Sequence, residues 1–189
     1  MSDFPGQVKQ LITIDNSDID ALLNALHQQS HLWEQWDALK PNKFNVFENC
    51  AQHIVFKYPV DLRHHDLSVT FPLWREWQHL IQPLIDQAIV CYGYENAGIA
   101  RIMLAKLLPQ NTIPMHIDAS PSAVMPHKIH IPLQTSEEVV MNFADKNCHL
   151  AVGFAYEVNN RVQHGVSNPT NSDRIHLIFD YFDKPVSEQ

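Results

Sequence analysis

Cysteine is scarce in this 189-residue chain: Cys50, Cys91 and Cys148, with no CxxC spacing. An odd number without that spacing suggests neither a disulfide framework nor a zinc knuckle, so three buried thiols in a reducing compartment are expected. No apolar run approaches the roughly 20 residues that a membrane-spanning helix needs. The opening MSDFPGQVKQLITI has no basic segment followed by an apolar stretch, so no secretory leader is expected. Positive charge is also thin, with 13 Lys and Arg scattered among 21 Asp and Glu and a net charge of −8. An acidic chain without a basic patch is repelled by phosphate backbones, which argues against nucleic acid as a partner. There is no internal repeat, low-complexity tract or linker. The expectation is a cytoplasmic protein without a membrane partner; its oligomeric state is not readable from the sequence.

What remains is the composition of a globular domain, 45% hydrophobic and 18% charged, long enough to bury a full core. One domain over residues 1–189 is expected, with 1–97 as mainly helical support containing a strand and 98–183 as a β core carrying the site. Ser17 is placed to cap a helix through Ile19, Leu22, Leu23 and Leu26. A second apolar stripe runs from Leu73 to Ile89; Pro72 suits its first turn, Gly93 or Gly98 its end, and Pro83 implies a kink or break. Trp33, Trp36, Trp74 and Trp77 have helical spacing and are expected in the core.

Residues 51–58 read as a strand, and the second half changes period. Strands are expected over 99–108, 113–117, 128–133, 139–143, 149–156 and 175–182, separated by polar turns such as 119–122 and 159–160. Short strands at these intervals argue for a sandwich or barrel. The fold class is therefore α+β with a mainly β core and N-terminal helices on one sheet.

Twelve histidines invite a search for metal. His27, His31, His53, His64, His65 and His79 have no ligand-like neighbours and read as surface or capping residues. His116-Ile117-Asp118 is different: on an extended strand, residues i and i+2 share a face, so both side chains can reach one ion. One imidazole and one carboxylate are two of the three ligands of a facial triad, which leaves coordination positions open on iron(II). His164, 48 residues further on, is the candidate third ligand. Arg174 follows ten residues later at the head of an apolar strand. If a tight loop joins two antiparallel strands there, Arg174 returns beside His164, suited to gripping a distant carboxylate of a dicarboxylic cosubstrate.

An HxD pair, a distal histidine and an arginine ten residues beyond it resemble the 2-oxoglutarate-dependent oxygenases. The segment from Arg101 to Tyr181 is similar to the aspartyl/asparaginyl β-hydroxylase family, which includes free-proline hydroxylases. The likeness rests on residues 107–118 (LLPQNTIPMHID), 130–132 (HIP), 156–160 (YEVNN) and 174–180 (RIHLIFD). It implies a double-stranded β-helix (a jelly roll, cupin-like), iron(II) as Fe(2+), 2-oxoglutarate as cosubstrate and O2. It also implies hydroxylation of a C–H bond of an amino acid or amino-acid side chain. His116, Asp118 and His164 match the metal ligands, Arg174 the carboxylate clamp, and His130 a histidine that contacts 2-oxoglutarate. Where the family commonly has arginine two positions earlier, this chain has Lys128, which keeps the charge but loses the planar fork.

Other residues carry open readings. Arg101 suits a substrate carboxylate or a salt bridge, His127 a substrate contact or no duty, and His176 an inward or a structural place. Arg161 is a further candidate for substrate, and the loop 119–127 for covering the site. Two other functions are compatible with the same ligands: a cupin-like metal enzyme that is not an oxygenase, and a catalytically silent 2-oxoglutarate-binding module.

Overall fold

The structure is a computed structural model that describes residues 6–184; residues 1–5, at the start of the segment expected not to be a leader, and residues 185–189 lie outside the described part. The first half contains β1 (Val8–Thr13), α1 (Asn16–Gln28), α2 (Leu32–Asp37), β2 (Ala51–Pro59), β3 (Ser68–Thr70) and α3 (Trp74–Ile89). The second contains β4 (Ala97–Leu107), β5 (Asn111–His116), α4 (Pro121–Val124), β6 (His127–Gln134), β7 (Val140–Phe143) and β8 (Asn147–Cys148). The chain then runs through β9 (Phe154–Val158), β10 (His164–Asn168) and β11 (Arg174–Asp183). Two sheets form, a larger one in the order β1-β9-β6-β11-β4-β2-β3 and a smaller one in the order β5-β10-β7-β8, and every pairing is antiparallel.

The alternation along β11 explains how both faces of the larger sheet are used. Leu177 and Phe179 pack with Ile129, Ile131, Ile102 and Leu104 against the buried stripe Trp77, Ile81, Leu84 and Ile85 of α3. Arg174, His176, Ile178 and Asp180 take the other parity and face the smaller sheet. Deleting one of these buried Leu or Ile side chains to Ala removes about 2–5 kcal/mol of stability. The four tryptophans do join the core: Trp33 and Trp77 are buried, and Trp36 and Trp74 pack partly buried against them.

Several local expectations change. Asp15, not Ser17, caps α1, its carboxylate accepting from the Ser17 N–H at 2.8 Å. α3 continues through Pro83 without a break. The proline lacks the N–H that would bond the carbonyl of His79, a residue on the exposed side where water can serve that carbonyl. Gly93, with φ 65°, ends the helical turn after α3. β1 was not foreseen and pairs with β9, so the first half contributes three strands to the larger sheet. The expected strand 149–156 is displaced, because the chain turns at Gly153 (φ 90°) before β9 begins. His53 is not a surface residue but is buried at the face shared with Ala105, its backbone N–H donating to Asp37 at 2.7 Å. Of the three free thiols only Cys50 is buried; Cys148 is half-buried and Cys91 exposed. Among the described residues no helix is long and apolar enough to cross a membrane.

Candidate metal centre

β5 and β10 pair so that His116 and His164 stand opposite each other, with ring centroids 4.4 Å apart. Gly165 allows this approach: a Cβ there would lie 2.7 Å from the Ile113 carbonyl oxygen. The register also shifts between His164 and Val166. Asp118 is not on the strand, as the i, i+2 reading had it, but two residues past the end of β5. Its backbone N–H donates to the Asn160 carbonyl at 3.0 Å, which fixes the segment. The result brings one ligand atom each of His116, Asp118 and His164 within 4.8 Å of one another.

The protonation pattern suits a cation. His116 Nδ1 lies 2.8 Å from the Pro114 carbonyl and His164 Nδ1 2.9 Å from the Val162 carbonyl. Those carbonyls can only accept, so each Nδ1 carries a hydrogen, and Nε2 is the nitrogen through which either ring would bind a metal. Burial lowers the pKa of His164, which favours the neutral form of its ring. Burial alone would raise the Asp118 carboxyl, but Lys128, His164, the Asn160 amide and Arg101 outweigh it and hold it at about 2. Two imidazoles, each offering Nε2, and one ionised carboxylate form a donor set that fits iron(II).

The inward face of the larger sheet supplies charge. Asp180 is fully buried, with its Oδ2 2.7 Å from Arg101 Nη1 and its Oδ1 3.1 Å from Lys128 Nζ. Lys128 Nζ also lies 3.5 Å from Asp118 Oδ2. Further along this face His130 and His176 are buried with ring centroids 5.7 Å apart, and neither Nδ1 has a hydrogen-bond partner. Burial holds both rings well below the usual imidazole pKa.

Arg174 is 3% exposed, and no carboxylate among the described residues comes within ion-pair distance of it. Burial lowers its pKa to about 9. A buried guanidinium without a counter-ion has the charge and the donors to hold an anion. Arg174 does not return beside His164 within one sheet. The loop between β10 and β11 crosses from the smaller sheet to the larger, so the two residues sit on facing layers.

A cavity of about 340 Å³ opens beside the triad, with His116, Asp118, Arg101 and Lys128 in its wall. The short helix α4 begins within the expected turn at 119–122 and runs beyond it, and Ala119, Ser120 and Ala123 border the cavity. His127 does not reach it. As the strand neighbour of Lys128 it has the opposite parity, and it is held between Glu157 at 2.7 Å and Tyr94 at 2.6 Å. Arg161 is exposed in the turn before β10 and is not part of the wall. Two residues of the site escaped the sequence reading. Asn160, read as a turn residue, is buried and donates to Asp118 Oδ2 at 3.2 Å and to the Ala123 carbonyl at 2.9 Å. Asp180 was passed over, although its even spacing from Arg174 in an apolar strand marks it as inward-facing.

A family model described as aspartyl/asparaginyl beta-hydroxylase matches residues 84–184, more than half of the chain. The chain belongs to this family. No curated protein sequence matches significantly. Among solved structures, it is similar to an oxidoreductase of the 2OG-Fe(II) oxygenase family from Burkholderia pseudomallei. That match has a TM-score of 0.53 at 15% identity, covering 92% of each chain. A prolyl-4-hydroxylase from Pseudomonas putida gives a TM-score of 0.52 at 13% identity, covering 95% of this chain and 94% of that one. AviO1 from Streptomyces viridochromogenes gives 0.57 at 14%, covering 96% and 92%. At these identities the likeness is one of fold, and the fold is a double-stranded β-helix.

Proposed function

We propose that this member of the family is an iron(II)- and 2-oxoglutarate-dependent dioxygenase that hydroxylates a C–H bond of an amino acid or amino-acid side chain. The observation that carries the reading is the convergence of His116, Asp118 and His164 within 4.8 Å, with a partnerless Arg174 buried on the facing layer. His116, Asp118 and His164 would hold iron(II), which would supply oxygen activation coupled to decarboxylation of the 2-oxo acid. The protein's own residues supply geometry. The carbonyls of Pro114 and Val162 aim the two imidazoles, and Asn160 and Lys128 orient the Asp118 carboxylate. Arg174 gives the far carboxylate of the cosubstrate a charged hydrogen-bond partner, and Lys128, His130 and His176 share its face of the larger sheet.

Anaerobic titration with iron(II) and 2-oxoglutarate is the direct test. A weak visible charge-transfer band of the metal-bound 2-oxo acid is expected, followed by succinate release on admission of oxygen. His164→Ala is expected to abolish both. An unchanged band and unchanged turnover in that variant defeat the ligand assignment.

A further inference from the structure

On the face of the larger sheet turned away from the metal centre, His127 and Glu157 form a buried pair that the proposed reaction does not use. A buried ion pair adds little stability over hydrocarbon of the same shape, so packing alone does not account for it. We propose that Tyr94, His127 and Glu157 form a redox-active tyrosine site, which yields one electron to a strong one-electron oxidant arising at the metal centre across the sheet. The site stands on its own geometry and goes beyond the oxygenase reading; the origin of the oxidant rests on that reading.

The chain of hydrogen bonds has a direction. Glu157 Oε1 lies 2.7 Å from His127 Nδ1, and Oε2 accepts from the Tyr92 hydroxyl at 3.1 Å. A carboxylate that takes the Nδ1 hydrogen leaves Nε2 of the neutral ring as an acceptor, and the Tyr94 hydroxyl lies 2.6 Å from it. The phenol therefore faces a base, and the carboxylate behind that base can hold the imidazolium. Burial, followed by Asp183, Glu157 and Tyr181, raises the Tyr94 hydroxyl above its ordinary pKa. The electron donor is thus the protonated phenol, whose oxidation must release a proton. One electron leaves the ring for the oxidant, which is reduced by one. The O–H bond breaks, and its proton forms an N–H bond at His127 Nε2. The products are a neutral phenoxyl radical and an imidazolium paired with the Glu157 carboxylate.

Packing and register place this site with respect to the metal centre. Tyr94 stacks on Tyr181 with 5.5 Å between centroids and 22° between planes. Tyr92 lies 5.7 Å from Tyr94 and 5.4 Å from Tyr181, so three phenol rings are in contact. Tyr181 pairs with His127 across β11 and β6, and the adjacent Asp180 pairs with Lys128. Alternation sends Asp180 and Lys128 to the opposite face, where Lys128 Nζ lies 3.5 Å from Asp118 Oδ2. The tyrosines and the metal centre stand back to back across one sheet. Oxygen activated without a C–H bond to consume it leaves an oxidant at the centre, and an electron from this cluster removes it.

Two arms test the proposal. In metal-free protein, flash photolysis of tris(bipyridine)ruthenium with persulfate supplies the oxidant, and electron paramagnetic resonance reads the product. A tyrosyl signal is expected, narrowed in protein made with ring-deuterated tyrosine. Tyr94→Phe, which keeps the stacked ring, is expected to remove most of it. His127→Gln is expected to slow the oxidation by about tenfold or more, with circular dichroism confirming the fold. No signal in the parent, a signal that deuterated tyrosine leaves unchanged, or one of parent size in Tyr94→Phe overturns the site. In the second arm, protein loaded with iron(II) and 2-oxoglutarate is mixed with oxygen in the absence of substrate and freeze-quenched. The same signal, lost in Tyr94→Phe, is expected alongside succinate. Succinate without the signal overturns the electron path from the cluster and leaves the oxygenase reading standing. If no succinate forms, the oxygenase reading fails, and the metal-free arm still decides the tyrosine site.

Discussion

Asn160 shares one amide group between two acceptors, the free oxygen of the metal-site carboxylate and the backbone of the short helix beside the cavity. It also accepts the Asp118 N–H through its own carbonyl. Truncating it leaves the carboxylate able to rotate and removes a tie on residues 121–124. Asn160→Ala is therefore expected to weaken iron(II) binding by roughly 10–100-fold. Anaerobic titration with the metal alone measures this, and an affinity within about twofold of the parent would remove Asn160 from the centre. The sequence exposed His116, Asp118, His164 and Arg174 because their spacing is distinctive. It hid Asn160 because Asn-Asn between strands reads first as a turn, and its contacts come from residues 37 and 42 positions away.

At the level of elements, the join of β5 to β10 sets the distance between the two imidazoles. Gly165→Ala forces a methyl group to 2.7 Å from the Ile113 carbonyl and to 3.3 Å from the Met115 nitrogen, so one strand must move. Reduced iron affinity is expected with secondary structure intact, read by metal titration beside far-ultraviolet circular dichroism. A second joint connects α2 to β2. Asp37 lies at the end of α2, and burial alone would raise its carboxyl. Hydrogen bonds from His53 and Lys40 outweigh that and hold it at about 2. A carboxyl depressed in the fold stabilises it above the unfolded value of 3.8, and that contribution is lost as pH falls toward 2. Asp37→Asn is expected to flatten the decline in stability across this window, measured as denaturant midpoint against pH.

The strands of the second half were legible because alternation is a local property. β1, the unbroken α3 and the assignment of β10 and β11 to different sheets were not, because each depends on what the segment packs against. In residues 8–13 the apolar Val8, Leu11 and Ile12 do not alternate, and the segment finds its partner in β9, far along the chain.

For the molecule as a whole, Arg174 is a buried charge without an ion-pair partner, and the proposed cosubstrate would offset it. Iron(II) with 2-oxoglutarate at 100 times its dissociation constant adds about 2.7 kcal/mol. For a chain of this size that corresponds to a rise in Tm of roughly 5–10 °C. Differential scanning fluorimetry under nitrogen reads it, and no shift would count against ligand binding at this site. In Arg174→Met the 2-oxoglutarate share of the rise is expected to vanish, while the unliganded Tm holds or increases, because a buried unpaired cation has been replaced by hydrocarbon.

The two sheets divide the work unequally. The smaller sheet and the turn after β5 hold His116, Asp118 and His164, and the larger sheet holds Arg101, Lys128, His130, Arg174 and Asp180. The distance between the candidate metal site and Arg174 is thus a property of neither layer but of the filling between them, where Leu107, Met141, Val166 and Tyr156 pack. Swelling or thinning that filling by a methylene would retune which length of dicarboxylic acid bridges the gap, while leaving every charged group as it stands.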